Sequence, residues 1–214
     1  MTRHLNIKAF LWIVVPLSIL IWVLFIFLVE LGTDPVWSAV KRIPTVITID
    51  FGLWLFFVKW AWKWRVFQGW LVPFPVLEGT WTGFMKSTWI DPASEKTLPP
   101  IPITLVIRQT FLSVNCSMYT EESSSISYSA DIVVDKETKR AQLVYHYTNR
   151  PRASVRNRSE IHDGTALLDV VGDKPVVMKG EYWTSRKTTG DIEVKFLSTE
   201  LRDSFFRMPE EGWG

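Results

Sequence analysis

Hydrophobic sequence and strand-like sequence are separated along this chain, and the boundary lies close to Glu78. Long apolar runs precede this residue, whereas short segments with alternating polar and apolar residues follow it. Eight of the 12 tryptophans also precede Glu78, and tryptophan is favoured at membrane–water interfaces. This division predicts a helical membrane anchor followed by an all-β domain.

Two apolar runs predict a transmembrane anchor over residues 1–67, with helical spans at about 9–29 and 43–64. The first run reaches the ~20 residues that a helix needs to cross a hydrocarbon core of ~30 Å. It exceeds the ~7–15 apolar residues of a secretory signal peptide, which argues against cleavage. The second run is interrupted by Asp50, so a re-entrant or surface-lying helix is its alternative.

The basic residues beside these runs predict an orientation. Two precede the first span and three lie at the end of the second, against two in the connection. Because cytoplasmic flanks carry the excess of lysine and arginine, both termini are expected in the cytoplasm. A carboxylate inside a span is costly, so Asp50 is a candidate for the membrane output. The alternative places Asp50 near the outer headgroups.

The remaining sequence predicts a connector, a barrel and a tail. Residues 68–77 contain two prolines and predict a stiff connector, residues 78–200 the β domain, and residues 201–214 the C-terminal tail. Consecutive hairpins favour an eight-stranded antiparallel up-and-down barrel of lipocalin-like type, because closure removes exposed edges. The expected strands are about 79–90, 101–109, 111–120, 124–135, 140–149, 161–171, 176–185 and 190–198.

Alternation within each strand predicts which side chains face the barrel interior, although a slip of one residue reverses a strand. The set is mainly apolar, with tyrosines toward one end, and an eight-stranded barrel holds a filled core or one small ligand. The expected inner residues are Trp81, Gly83, Met85, Leu105, Ile107, Val114, Cys116, Met118, Ile126, Tyr128, Ala130, Ile132, Leu143, Tyr145, Tyr147, Ala166, Leu168, Val170, Met178, Gly180, Tyr182, Ile192, Val194 and Phe196.

No pattern indicates an enzyme, a cofactor or a metal site. The sequence has no glycine-rich phosphate loop, no metal-spaced Cys/His cluster and no nucleophile elbow. His162 beside Asp163 is better explained as the start of a strand than as an acid–base pair. The single cysteine, Cys116, excludes an internal disulfide and fits a reducing compartment. A net charge of +2 is too small to indicate binding of a DNA or RNA polymer.

A group of aromatic, amide and arginine side chains predicts a ligand site instead. Two tyrosines lie on one face of an expected strand, which leads into a loop at residues 150–158 that contains four arginines. Aromatic rings stack on bases and arginine binds phosphate in bidentate geometry, so a small nucleotide is the expected ligand. The alternative is a solvated loop above core tyrosines. The predicted ligand-binding residues are Tyr128, Tyr145, Tyr147, Asn149, Arg152, Arg156, Tyr182 and Thr184.

Four short segments and the order of the parts resemble a bacterial family. The segments are Pro73-Phe74-Pro75, Gly79-Thr80-Trp81-Thr82-Gly83, Ile107-Arg108-Gln109-Thr110-Phe111 and Tyr145-His146-Tyr147-Thr148-Asn149-Arg150-Pro151. Together with two expected spans, they resemble the effectors of CBASS (cyclic-oligonucleotide anti-phage signalling) that have two transmembrane helices and a β-strand-rich domain.

This resemblance implies a function that the residues alone do not specify. Such effectors sense a cyclic dinucleotide made by a partner nucleotidyltransferase during phage infection. Binding to the barrel promotes oligomerisation, and the helices then disrupt the bacterial inner membrane, so that the infected cell stops growing. The expected location is therefore the inner membrane, as a multi-pass protein. A membrane-tethered lipocalin-like carrier of an apolar molecule and a scaffold without a cavity are the alternatives.

Overall fold

The structure, a computed structural model, describes residues 7–28, 40–41, 43–90, 95–135, 137–138, 140–172 and 177–206. The chain divides between Pro73 and Phe74 into two compact units. This division falls within the predicted connector. The described residues before it form helices, and those after it form eight strands.

The N-terminal unit contains helix α1, Ile7–Leu28, helix α2, Ile43–Lys59, and a short 3-10 turn at Ala61–Lys63. One aromatic pair joins the two helices: the ring centroids of Phe10 in α1 and Trp54 in α2 are 5.0 Å apart in an edge-to-face arrangement. Edge-to-face pairs of this kind stabilise the packing of two helices beyond what the burial of apolar surface contributes. Many large apolar side chains of both helices nevertheless remain exposed.

The membrane predictions are wrong. Within the described residues, neither α1 nor α2 has the combined length and apolar character that crossing a bilayer demands. Helix α2 ends at Lys59 after 17 residues, which gives about 25 Å at 1.5 Å per residue and falls short of a ~30 Å hydrocarbon core. The two predicted transmembrane helices, and the predicted multi-pass location in the inner membrane with cytoplasmic termini, are therefore overturned.

The C-terminal unit confirms the predicted eight-stranded antiparallel barrel. Each strand pairs with the next in the chain, and β1 also pairs with β8, which closes the barrel. The strands are β1 Gly79–Ser87, β2 Ile101–Gln109, β3 Val114–Tyr119, β4 Ser123–Val134, β5 Ala141–Pro151, β6 His162–Val171, β7 Val177–Thr184 and β8 Thr189–Ser198.

The expected inner faces hold in most strands, but they fail in half of β4 and at Phe196 in β8, which is 38% exposed. Ile126 and Tyr128 are 63% and 66% exposed, whereas Ser125 and Ser127 are buried. The pairing of β4 with β5 shifts between Ser127 and Ser129. Such a bulge inserts one residue and reverses the parity of the strand. Regular alternation anchored on Ile132 therefore predicts the wrong face before the bulge.

The C-terminal segment after β8 lies on the outer wall of β1 and β2. Thr80 donates its hydroxyl to the carbonyl of Glu200 and accepts from the amide of Arg202. Thr104 makes the same double contact with the carbonyl and amide of Phe206, at 3.1 and 2.9 Å. Both threonines are fully buried although they face outward. Residues 200–206 thus form a strap that covers this part of the wall.

One end of the barrel is closed by the segment that leads into β1. The Gln109 side chain accepts from the amide of Leu77 at 2.6 Å and donates to the carbonyl of Pro75 at 3.0 Å. The indole of Trp81 donates to the carbonyl of Leu77 at 3.0 Å. Leu77 and Trp81 are both fully buried. A ligand site inside the barrel therefore has to open at the opposite end.

Replacing Gln109 by Ala should destabilise the barrel by about 2 kcal/mol, because it leaves a buried amide and a partly buried carbonyl without partners. Urea unfolding of the full chain measures the loss. The matched control is Gln142→Ala, whose hydrogen bond to Asp169 is exposed to solvent and whose loss should cost less than about 0.5 kcal/mol. Equal losses for the two variants would contradict the role of Gln109 in closing this end.

Candidate functional site

The open end of the barrel carries three neighbouring rows of inward-facing side chains. The register aligns Ser125, Asn149 and His162 across β4, β5 and β6 in the outermost row. The second row joins Ser127, Tyr147, Gly164 and Thr184. The third joins Ala130, Tyr145, Ala166, Tyr182, Gly190 and Ser87. The inner wall thus changes from apolar to polar toward this end, which we call the polar mouth.

Two tyrosines fill the polar mouth, and each passes over a glycine. A Cβ atom at Gly164 would lie 2.6 Å from the Tyr147 ring, and one at Gly190 would lie 2.7 Å from the Tyr182 ring. Tyr147 and Tyr182 are 3% and 5% exposed. Burial raises the pKa of both phenols, so both remain protonated donors. The missing side chains at the glycines leave room for the two rings close to the barrel wall.

Arg186, in the turn between β7 and β8, supplies positive charge to the polar mouth. Its charge lowers the pKa of Tyr147 and of Tyr182, in opposition to burial, and also lowers the pKa of His162. Its guanidinium donates to Ser159 in the connection between β5 and β6, at 3.3 Å. One exposed arginine is therefore electrostatically coupled to three side chains at this end.

The arginine loop that the sequence singled out also lies at the polar mouth. It contains a 3-10 turn at Ala153–Val155 and is held to the turn between β3 and β4. There the Arg152 amide donates to the carbonyl of Glu122 at 2.8 Å, and the Arg158 side chain pairs with the Glu122 carboxylate at 2.5 Å. The Arg156 side chain donates to the carbonyl of Pro151 at 3.2 Å. The side chains of Arg152 and Arg156 are exposed.

The structure brings most of the predicted ligand residues together at the polar mouth and separates one of them, Tyr128. Asn149, Tyr147, Thr184, Tyr182 and Tyr145 belong to the mouth rows, the last two in the deepest row. Arg152 and Arg156 lie on the loop. Tyr128 was wrongly placed on the inner face: it stacks on His146 on the outer wall, with centroids 6.2 Å apart. Asp50 is half-buried in α2, and its predicted intramembrane role disappears with the span.

Ser125, His162 and Arg186 of the polar mouth were not among the predicted ligand residues. Ser125 was missed because the bulge reverses β4, and His162 because it was judged only as a catalytic base. Arg186 lies in the turn two residues after Thr184. The signal that could have identified it is that β7 ends at Thr184, which was itself a predicted ligand residue. No group of three potential metal ligands occurs within the part of the chain that the structure describes.

A groove of about 710 Å³ lies elsewhere, on the outer wall across β1, β6, β7 and β8. Four carboxylates and two lysines line it, and one of these lysines, Lys179, pairs with Glu193 at 3.0 Å. The excess of carboxylates repels anionic ligands. The groove is therefore the poorer candidate for a nucleotide phosphate, and the polar mouth is the better one.

The folded state should lose stability as the pH falls below about 6.5, the usual pKa of histidine, in part through His162. Burial lowers the pKa of His162 and outweighs its hydrogen bond to the carbonyl of Glu160. The unfolded chain therefore takes up the proton first, and this lowers the free energy of unfolding. Thermal unfolding from pH 7.5 to 5.5 should show a smaller loss for His162→Asn than for wild type. The outer-wall variant His146→Asn should retain the wild-type difference, and a loss unaffected by His162→Asn would refute the assignment.

Comparison with known proteins agrees with this architecture. Residues 72–195 match the family "Cap15, cyclic dinucleotide receptor domain". A CD-NTase-associated protein 15 from Staphylococcus schleiferi is 28% identical over 195 residues, which cover 91% of this chain and 97% of the relative. A protein of the same name from Escherichia albertii is 28% identical over 179 residues, covering 80% and 87%. The chain therefore belongs to the Cap15 family of CBASS-associated proteins and contains its cyclic dinucleotide receptor domain.

Proposed function

We propose that this protein is a sensor that binds a cyclic dinucleotide at the polar mouth of its barrel and passes the signal to its N-terminal unit. The ligand would come from a partner nucleotidyltransferase, as the names of the two relatives suggest. The protein itself acts as a receptor and effector in an antiphage response, without a catalytic step. The observation that carries the proposal is the convergence of Tyr147, Tyr182 and Arg186 at one end of the barrel.

The charge at the polar mouth matches the two phosphates of a cyclic dinucleotide. Arg186 already acts on three mouth side chains, and Arg152 and Arg156 stand exposed on the neighbouring loop. Guanidinium groups bind phosphate oxygens through two parallel hydrogen bonds. A ligand with one phosphate on each side can therefore be held by the turn and by the loop.

The tyrosines provide the surfaces on which the bases stack. A base stacked on an aromatic side chain contributes about 1–3 kcal/mol to binding. Because Tyr147 and Tyr182 are almost fully buried without ligand, access requires a movement of the loop or of the rings. A ligand that binds the rearranged conformation more tightly than the resting one shifts the protein toward that conformation.

The interior disfavours the alternative of a lipocalin-like carrier. Trp81, Leu105, Leu143 and Leu168 are fully buried inside the barrel. Their side chains occupy the volume that a fatty acid would need in an eight-stranded barrel. A carrier would have to bind an apolar ligand more tightly than any cyclic dinucleotide, and that outcome would reject our proposal.

The proposed output is ligand-driven self-association followed by disruption of a lipid bilayer. Helices α1 and α2 expose large apolar side chains such as Trp12, Leu20 and Phe51. Apolar patches of this kind mark interaction surfaces for proteins or membranes. Lys59 also lies 4.6 Å above the ring of Trp60, a combination suited to an interface with lipid headgroups. This output does not require a helix that crosses the bilayer.

Replacing Arg186 by Ala should weaken binding of a cyclic dinucleotide about 10- to 100-fold, because a hydrogen bond to a charged group contributes about 1.5–3 kcal/mol. Isothermal titration of the full chain with cyclic di-AMP, cyclic di-GMP and cyclic GMP-AMP measures the affinities. Arg140→Ala is the matched control, since Arg140 is an exposed turn arginine at the closed end. Equal affinities for both variants would remove the polar mouth as the site.

The output predicts that the same ligand makes the wild-type chain release dye from vesicles of phosphatidylethanolamine and phosphatidylglycerol. Phe51→Lys should reduce release without changing ligand affinity, because it places a charge on the exposed apolar surface of α2. Analytical ultracentrifugation reports self-association in parallel. Tight ligand binding without association or dye release would reject the output and leave the receptor proposal standing.

A further inference from the structure

Ser125 is a buried polar residue whose hydroxyl lacks a partner at the polar mouth. The residue is 2% exposed, and its Oγ atom has no hydrogen bond within the described structure. Buried hydroxyls are normally paired, because leaving one unpaired costs stability. The neighbouring inward serine of β4 obeys the rule: Ser127 accepts from the amide of Cys116 at 2.8 Å. An unpaired Ser125 therefore calls for a different explanation.

The position of Ser125 places it among groups that can read the edge of a base. Asn149 lies directly opposite Ser125 on β5, and His162 lies opposite Asn149 on β6. His162 Nδ1 lies 2.8 Å from the carbonyl oxygen of Glu160. A carbonyl oxygen only accepts, so Nδ1 carries the proton and Nε2 of the neutral ring is an acceptor. The row combines a hydroxyl, a carboxamide and an imidazole acceptor.

We infer that Ser125, Asn149 and His162 form a base-reading row that recognises an adenine of the bound cyclic dinucleotide, with Ser125 as a direct contact. This inference rests on the proposed function and deepens it by naming a base and a specificity-determining residue. An adenine edge offers both an amino donor and ring-nitrogen acceptors, which a carboxamide can bind in bidentate fashion. A guanine edge with two acceptors matches arginine better. The ligand then supplies the partner that Ser125 lacks.

An unpaired hydroxyl kept for a ligand has a signature that a structural hydroxyl does not have. Removing Ser125 Oγ should leave the ligand-free protein as stable as wild type or more stable, because an unsatisfied buried group is lost. The same substitution should lower the affinity of the protein for the ligand. A variant that is at least as stable as wild type but binds the ligand more weakly is expected when a residue serves binding at a cost in stability.

The test uses the full chain, wild type and Ser125→Ala, titrated with cyclic di-AMP and cyclic di-GMP. We expect wild type to prefer cyclic di-AMP, and Ser125→Ala to lose about tenfold in affinity for it with a smaller change for cyclic di-GMP. The melting temperature without ligand should be unchanged or higher. Ser124→Ala is the matched control: Ser124 lies next in the strand and pairs with Arg150 on the outer face, so its affinities should equal those of wild type.

Each other outcome overturns the inference in a recognisable way. A lower melting temperature for ligand-free Ser125→Ala would show that the hydroxyl supports the fold. A wild-type preference for cyclic di-GMP, or equal losses for both ligands, would reject adenine reading. Unchanged affinities in Ser125→Ala would remove the contact while leaving the proposed function intact. Failure of the wild type to bind either ligand, or any other cyclic dinucleotide, would reject the proposed function as well.

Discussion

Closure of the barrel through the pairing of β1 with β8 is the constraint on which the rest of the structure depends. It gives every strand an inner and an outer face. It also places large apolar side chains, such as Trp81 and Leu105, in the interior of the barrel. The segment before β1 then closes one end through Gln109 and Leu77. What remains for a ligand is the opposite end, where the inner wall becomes polar.

Electrostatics decides between the two places where a ligand can approach the barrel. The outer-wall groove has a volume of about 710 Å³, yet its carboxylates outnumber its lysines. The polar mouth has the reverse balance, with Arg186 in one turn and Arg152 and Arg156 in the facing loop. Glu122, which pairs with Arg158, fixes the position of that loop. This charge balance and the buried tyrosines together support the proposal that a doubly anionic ligand with aromatic bases binds at the mouth.

Much of the barrel could be predicted from the sequence because a half-buried strand repeats every two residues. That period located all eight strands and most inner residues, including Tyr147 and Tyr182. It failed in β4, because the bulge after Ser127 cannot be recognised from the composition of the strand. Ile126 was assigned to the inner face as the more hydrophobic residue, whereas Ser125 is the buried one. Arg186 was missed because turn geometry, and not periodicity, brings it to the mouth. The membrane prediction failed because apolar composition does not fix where a helix ends: α2 ends at Lys59, five residues before the predicted end of the second span.

The most direct test of this account is where a cyclic dinucleotide protects the chain from hydrogen–deuterium exchange. The full chain is compared with and without a saturating concentration of the tightest-binding cyclic dinucleotide. We expect slower exchange in residues 152–161 and 185–188, which form the loop and turn of the polar mouth. Protection confined to residues 179–181 and 191–193, which line the outer-wall groove, or to the closed-end turn at residues 110–113, would contradict the account.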